Sequence, residues 1–327
     1  SGGGYVPPST EDKPSDETTP TNGIENLKDL DKELQEKVNS IIAESVIGKQ
    51  GLTLSIVGDN NNLKHVSHVK VTKDGIVAVV DGNKLKFGAT LEGLDLDLAN
   101  ARVIRIDQNR NSIGKYTAVS HQKTKDGLNI YSSNLENLLI TYKVSEPFVD
   151  VNDTDWFKAD VEEAYNYGFT QGTSLNTYNP HGKITRGEFA VMIARALELK
   201  VEGNTGVFKD IKGKWYENEV QALKDAGIVS GFEDGTFGGN KNITRQEAAK
   251  MLLNVLEYVN VDTTTNAVSN LVDMDSVNDF AKHAVQFLAE MEVLVGDENK
   301  KFNPTNNLTR AEMAKVLVRS LKLSNLY

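Results

Sequence analysis

Three copies of one helix-loop-helix pattern fill the second half of the chain and constrain its fold more than any other feature. The second helix of each copy begins at a Thr-Arg-x-Glu box, whose arginines are Arg186, Arg245 and Arg310. Upstream of the box, the copies share an early aspartate, a loop glycine and a loop aromatic: Asp150, Asp210 and Asp273; Gly172, Gly231 and Gly296; Tyr178, Phe237 and Phe302. Because one short unit cannot bury its apolar face alone, the pattern predicts a single compact helical unit.

The Thr-Arg-x-Glu box predicts the start of a helix. Threonine at the N-cap and glutamate three residues later form a capping box, in which each side chain satisfies a free backbone N–H. Apolar residues then recur at helical spacing, as at Phe189, Ile193 and Ala196. Gly227 suits the left-handed conformation that closes the preceding helix. The loop aromatic is expected to pack back into the core.

Capping explains the threonine and the glutamate of the box but not the arginine. A cation in the first turn faces the positive end of the helix dipole, which is mildly unfavourable. Two interpretations of the repeated arginine stay open. It forms an ion pair with an acid of a neighbouring copy, or it forms an anion site in which the guanidinium and free helix N–H groups bind one carboxylate.

Composition argues against several other functions. The net charge of −10 disfavours a nucleic-acid binder, which needs a basic face, and the lack of cysteine excludes disulfides and thiolate metal sites. No apolar run approaches the roughly 20 residues that span a bilayer, so membrane insertion is not expected. His65 and His68 fall on opposite faces of a strand, and the acidic run 150–155 lacks the glycine and terminal glutamate of a calcium loop. No catalytic residue, metal or cofactor is therefore predicted.

The first half of the chain changes character twice. Residues 1–23 are rich in Gly, Pro, Ser and Thr, which predicts a disordered linker with possible further domains upstream. Residues 24–46 have apolar positions at helical spacing, which predicts one amphipathic helix. After Gly48, two-residue alternation and turn signals predict a β-sandwich-like antiparallel domain, so that residues 24–145 form a helix plus β domain.

The motif order within each copy resembles that of the S-layer homology domain. The order is Phe-x-Asp, Trp-aromatic, Gly-x-x-x-Gly, aromatic-x-Pro and Ile-Thr-Arg-x-Glu, and the copies span 146–203, 204–265 and 266–327. The resemblance implies an all-α, pseudo-threefold helical prism, which makes the whole chain α+β. It also implies inter-repeat grooves that bind secondary cell wall polysaccharide carrying pyruvate ketals. The expected role is non-covalent anchoring of an exported protein at a Gram-positive-type cell surface.

The resemblance also carries binding roles onto the matching positions of this sequence. These are Arg186, Arg245 and Arg310; Asp150, Asp210 and Asp273; Trp156 and Trp215; and Gly172, Gly231 and Gly296. Structural roles compete with them: the tryptophans as core anchors, which is favoured, the aspartates as turn caps and the glycines as turn formers. In the third copy, Asp279 stands where tryptophan is expected and Glu292 where the helix-ending glycine is expected. Extra carboxylates repel an anion, so a groove lined by them is predicted to be weak.

A rival function places an enzyme or adhesin in residues 24–145, with the repeats serving only as attachment. Carboxylates are scattered through that segment, but no sequence feature places two of them across a cleft. We therefore expect an anchor rather than an enzyme. The two functions differ in whether polar residues of the β domain converge in a concave pocket.

Overall fold

The chain folds into two compact units, Ser1–Val144 and Ser145–Tyr327. The computed structural model describes residues 32–33, 36, 42–57, 66–73, 75–80, 83–87, 97–106, 116–132, 134–201, 206–266 and 269–327. The first unit is mainly antiparallel sheet and the second is helical, which makes the chain α+β. Within the described ranges, no helix is long and apolar enough to cross a membrane. The predicted linker 1–23 lies outside these ranges.

In the described part of the first unit, the strands form two five-stranded antiparallel sheets. The strands are β1 (Ile42–Gly48), β2 (Gly51–Val57), β3 (Val66–Thr72), β4 (Gly75–Val80), β5 (Asn83–Phe87), β6 (Ala101–Ile106), β7 (Tyr116–Ala118), β8 (Ser120–Lys123), β9 (Gly127–Tyr131) and β10 (Leu138–Tyr142). The sheet orders are β1-β2-β10-β6-β7 and β5-β4-β3-β9-β8. Alternate residues of both sheets share one core, in which Leu54, Val103, Val71 and Leu128 are fully buried. Burial of one face by each sheet is the pattern that two-residue alternation predicts.

The predicted helix over residues 24–46 is wrong at its C-terminal end. Residues 32, 33 and 36 are helical, but Ile42–Gly48 is strand β1. It pairs with β2 along its whole length, from Ile42 opposite Val57 to Gly48 opposite Gly51. Pairing with a buried neighbour outweighs the weak helical spacing of Ile41 and Val46, since local propensity is easily overridden by tertiary contacts. The remaining residues of the predicted helix lie outside the described ranges.

Six α-helices in the described part of the second unit form three pairs, one per copy. They are α1 (Lys158–Tyr167) and α2 (Arg186–Ala196), α3 (Glu217–Asp225) and α4 (Arg245–Tyr258), and α5 (Asp279–Glu290) and α6 (Arg310–Leu323). Capping boxes at Thr185, Thr244 and Thr309 start α2, α4 and α6, as predicted. The loop aromatics Tyr178, Phe237 and Phe302 are fully buried, also as predicted. The sequence signals for helix starts and for the core therefore agree with the structure.

Backbone hydrogen bonds join the three copies in a closed cycle. Ile184 N–H donates to Leu308 O, Leu308 N–H donates to Ile243 O, and Ile243 N–H donates to Ile184 O, at 3.3, 3.0 and 3.0 Å. The second helix of each copy also packs against the first helix of the next, in the pairs α2 with α3, α4 with α5 and α6 with α1. The copies therefore fold as one unit and not as separate beads.

Glu292 takes the backbone conformation that glycine supplies in the other two copies. Its φ is 56°, compared with 81° at Gly168 and 74° at Gly227, and each residue lies just after the first helix of its copy. The left-handed conformation costs a non-glycine residue roughly 1–2 kcal/mol. Glu292 is therefore a strained helix end, because the chain takes a positive φ at this position in every copy.

Candidate functional site

The three box arginines are buried, and each reaches into another copy. The Nε–H groups of Arg186, Arg245 and Arg310 donate to the carbonyls of Phe237, Phe302 and Tyr178 at 2.9, 2.8 and 2.8 Å. Each guanidinium also lies over the ring of that same aromatic residue, 4.9–5.0 Å from its centroid. The repeated arginine therefore joins neighbouring copies through a hydrogen bond and a cation–π contact.

The arginines differ in their carboxylate partners. Arg186 pairs with Glu247 at 3.1 Å and Arg245 pairs with Glu312 at 2.9 Å, and both glutamates belong to the capping box of the next copy. Burial lowers the pKa of both guanidinium groups, and the acid partners act in the opposite direction. Among the described residues, Arg310 has no carboxylate within 4.0 Å. The ion-pair interpretation thus applies to two of the three positions.

The repeated aspartates hold the aromatic loops in place. Asp150 accepts hydrogen bonds from the backbone N–H groups of Tyr178 and Asn179, both at 2.7 Å. Asp210 and Asp273 make the equivalent pairs of bonds, at 2.7–2.8 Å, to residues 237–238 and 302–303. Both oxygens of each carboxylate are used, which matches the turn-capping interpretation.

The repeated loop glycines are required by packing. A Cβ on Gly172 would lie 2.5 Å from Cε1 of Phe148, and a Cβ on Gly231 would lie 2.4 Å from Cε1 of Phe208. At Gly296 the nearest atom, in Leu271, would be 2.7 Å away. The hydrophobic residue that opens each copy therefore occupies the space a side chain would need.

The tryptophans are surface residues, so the favoured interpretation as core anchors is wrong. Trp156 and Trp215 are each 61% exposed, whereas the adjacent Phe157 and Tyr216 are 2% exposed and fill the core. The third copy presents an aromatic as well. Phe280 is 51% exposed and lies twelve residues before Glu292, the same spacing that separates each tryptophan from its helix-ending glycine. Counting from the helix end, Phe280 rather than Asp279 is the counterpart of the tryptophans.

A cavity of about 820 Å³ lies beside Arg245, between the copies. Its lining consists of Trp156 and Lys183 from the first copy, Arg245 from the second, and from the third Val293, Leu294, Val295, Gly296, Asp297, Lys301, Asn303, Thr305, Asn306, Asn307, Thr309, Glu312, Lys315 and Val316. Four cations and two carboxylates line it, in a chain whose net charge is −10. Neither Asp279 nor Glu292 is part of this lining. The cavity thus combines an exposed aromatic face with an excess of positive charge.

The equivalent position at Arg186 is covered by a phenylalanine. Phe232 directly follows the loop glycine of the second copy, as Asp297 does in the third. The Arg186 guanidinium lies 4.8 Å from the Phe232 ring centroid and 4.9 Å from that of Phe237, so it is held between two rings. Lys241 lies over Phe232 as well, at 4.6 Å. Sequence reasoning missed Phe232, although aligning the copies at the loop glycine would have identified it.

Within the described part of the β unit, His121 is a buried titratable side chain. Its Nδ1 lies 2.7 Å from the carbonyl oxygen of Val119, and burial lowers its pKa to about 4. His68 stacks with Tyr131 at 5.2 Å, while His65 lies outside the described residues. Within the described ranges, no three His, Cys, Asp or Glu side chains are placed to hold a metal ion.

Comparison with known proteins adds a family and several relatives. The model of the S-layer homology domain matches residues 147–190, 207–249 and 271–314. An endoglucanase of Bacillus sp. (strain KSM-635) is 36% identical over 172 residues, which cover 52% of this chain and 18% of that protein. The surface-layer 125 kDa protein of Lysinibacillus sphaericus is 31% identical over 169 residues, which cover 50% and 14%.

A third relative matches more of the chain. Exoglucanase XynX of Acetivibrio thermocellus is 29% identical over 285 residues, which cover 83% of this chain and 25% of that protein. The helical unit alone cannot account for this match, so it extends into the β unit. This chain corresponds to a quarter or less of the length of each of these three relatives.

Proposed function

We propose that this chain binds an acidic wall polysaccharide. The premise is that it carries three tandem S-layer homology domains and is an extracellular, cell-wall-associated protein. Its cell-surface anchoring role agrees with its likeness to surface-layer proteins. The ligand that we propose is a secondary cell wall polysaccharide carrying pyruvate ketals. A groove between copies would hold the ketal carboxylate.

A pseudo-threefold prism is the arrangement that we propose for the helical unit. The cyclic hydrogen bonds among Ile184, Ile243 and Leu308 support it, because each residue occupies the same place in its copy. The cyclic packing of α2 on α3, α4 on α5 and α6 on α1 supports it as well. In such an arrangement each groove has side chains of more than one copy, so binding needs the whole unit.

The cavity beside Arg245 is the observation that carries the ligand proposal. Its volume lies within the range of roughly 300–1,000 Å³ typical of ligand sites. Trp156 offers a ring face on which the apolar side of a sugar can stack, and Lys183, Lys301 and Lys315 supply positive charge. A neutral sugar would use the ring but not the charge. The combination therefore favours a glycan with an acidic substituent.

We propose that the chain itself is an attachment segment rather than a catalyst. The relatives named as endoglucanase, exoglucanase and amylopullulanase are far longer than this chain, which covers 10–25% of them. The surface-layer relatives, which match 50% and 54% of this chain, have names that describe no enzyme. An enzyme or adhesin in residues 24–145 remains the alternative, and the extension of the exoglucanase match into this segment keeps it testable.

Sedimentation of the full chain with purified cell wall tests the proposed function. We expect the chain to sediment with untreated wall and to stay in solution after mild acid has removed the pyruvate ketals. Wall that was mock-treated at neutral pH is the control. Equal binding to wall with and without ketals would contradict the acidic ligand, and no binding to either would contradict anchoring by this chain.

A further inference from the structure

The guanidinium of Arg245 is already committed to protein partners. Its Nε–H donates to Phe302 O at 2.8 Å, its Nη1 donates to Glu312 at 2.9 Å, and its Nη2 donates to Val295 O at 2.8 Å. Three of its five N–H donors are used, and Glu312 balances its charge. A ligand carboxylate would meet a guanidinium that is already neutralised and would lie close to Glu312, so Arg245 is poorly placed to be the main anion-binding group.

Lys315 lies in the same cavity and is not committed in this way. Its side chain is half-buried, with Nζ 5.6 Å from the Trp156 ring centroid. Among the described residues, Lys315 has no hydrogen-bond partner and no carboxylate within 4.0 Å. Burial lowers its pKa, as do the nearby cations Arg319 and Arg245, while the more distant carboxylates Asp160 and Glu312 act in the opposite direction. A half-buried ammonium that makes no direct ion pair can serve as the counter-charge of a bound anion.

The three copies differ at the position of Lys315 and in whether a cavity lies beside it. The position lies five residues after the box arginine, where the first copy has Val191 and the second has Lys250. Val191 is buried and uncharged. Lys250 lies three residues after Glu247 on α4. Glu247 is the acid partner of Arg186, and Phe232 covers the Arg186 guanidinium. Only the third copy therefore combines this lysine with the cavity beside Trp156.

We propose that Lys315, rather than the box arginine Arg245, binds the acidic substituent of the wall glycan in the cavity beside Trp156. The inference rests on the proposed function and assigns the charge contact within it. Arg245 then serves to position the third copy, by holding Glu312 and the carbonyls of Val295 and Phe302. The ammonium provides the charge for the ligand and the indole provides the stacking face.

Titration calorimetry on the full chain tests this assignment with two probes, a hexose carrying a pyruvate ketal and the same hexose without it. A hydrogen bond to a charged group contributes about 1.5–3 kcal/mol, so Lys315→Gln should weaken binding of the ketal hexose about 10- to 100-fold. Binding of the plain hexose should change less than about twofold by the same logic. Lys250→Gln is the matched control, at the same helix position, and should leave both affinities unchanged.

The outcomes separate the inference from the proposed function. If the unmodified chain bound neither the ketal hexose nor ketal-bearing wall, the proposed function would fail. If it bound the ketal hexose and Lys315→Gln bound it equally well, the assignment to Lys315 would be overturned. If thermal denaturation shows that Lys315→Gln is not folded, Lys315→Met replaces it in the titration. Methionine keeps an apolar stem over Trp156 and removes the charge. An equal loss in the Lys250 variant would also contradict the assignment, since it would indicate a general charge effect.

Discussion

Arg245 and Arg186 occupy equivalent places in consecutive copies, yet their surroundings differ. Both donate through Nε to a buried loop aromatic and both pair with the capping-box glutamate of the next copy. Beside Arg245 there is a cavity of about 820 Å³, whereas Phe232 covers Arg186. The shared contacts build the fold, and we propose that the loop residue after the glycine, Phe232 or Asp297, decides whether a site can open. On that proposal, the repeated box does not distinguish a binding groove from a closed one.

The largest expected effect is on stability, at the arginines themselves. Arg186→Ala leaves Glu247 without its partner in a largely buried setting, which should lower the free energy of unfolding by about 3 kcal/mol. Arg310→Ala removes the same stacking and carbonyl contacts but leaves no carboxylate behind, so its loss should be smaller. Urea unfolding followed by tryptophan fluorescence measures both, because Trp156 and Trp215 both lie in the helical unit. Equal losses would remove the distinction between the positions.

A smaller effect is expected on binding, at the exposed tryptophans. Trp156→Ala should weaken binding of the ketal hexose about 2- to 10-fold, since stacking on an aromatic ring contributes about 0.5–1.5 kcal/mol. Trp215 has the same 61% exposure and is the matched control, because it is not among the residues lining the Arg245 cavity. Calorimetry on both variants separates them. A tenfold loss in Trp215→Ala, with Trp156→Ala unchanged, would place the site elsewhere.

A third change asks whether Phe232 keeps the Arg186 position closed. Phe232→Ala removes one of the two rings around the guanidinium and should add a second, weaker binding event for the ketal hexose. The gain should be small, less than about twofold in total bound ligand even at high concentration, because Glu247 still neutralises Arg186 and keeps the second site weak. Phe237 is no control, since it is fully buried; Leu175, exposed on a loop of the first copy, is a suitable one. An unchanged stoichiometry would show that Phe232 is not what closes the position.

The smallest effect concerns pH. Because burial and neighbouring cations lower the pKa of Lys315, the ammonium that binds the anion is lost at a lower pH than for an ordinary lysine. Affinity for the ketal hexose should therefore begin to decline, as pH rises, before the usual lysine pKa of about 10.4 is reached. Lys315→Arg should bind with little change over the same range, since arginine stays protonated. An identical decline in both proteins would assign the pH dependence to another group.

How much could be predicted from the sequence differs between residues. The capping boxes at Thr185, Thr244 and Thr309 and the buried loop aromatics depend on local spacing, which the sequence displays. Strand β1 could not be predicted in the same way, because its partner Gly51–Val57 decides its conformation. The Trp156 and Trp215 exposure was also missed, since either residue of a Trp-aromatic pair can point inward.

Site residues are harder to predict from this sequence than the fold, for a physical reason. The arginine recurs because it holds the copies together, so repetition marks a structural contact as strongly as a binding one. Phe232 has no counterpart phenylalanine in the other copies and Lys315 has a counterpart lysine in only one, so a search for what all three copies share does not find them. Features that distinguish one groove from another are those that do not occur in every copy.

A crystal structure of the full chain with a pyruvylated wall saccharide is the most direct test of this difference between grooves. We expect one saccharide in the cavity beside Arg245, with its ring against Trp156 and its carboxylate within hydrogen-bond distance of Lys315 Nζ. We expect the Arg186–Glu247 pair to be intact beneath Phe232, with no saccharide there. A saccharide bound at Arg186 with Phe232 displaced, and an empty cavity beside Arg245, would contradict this expectation.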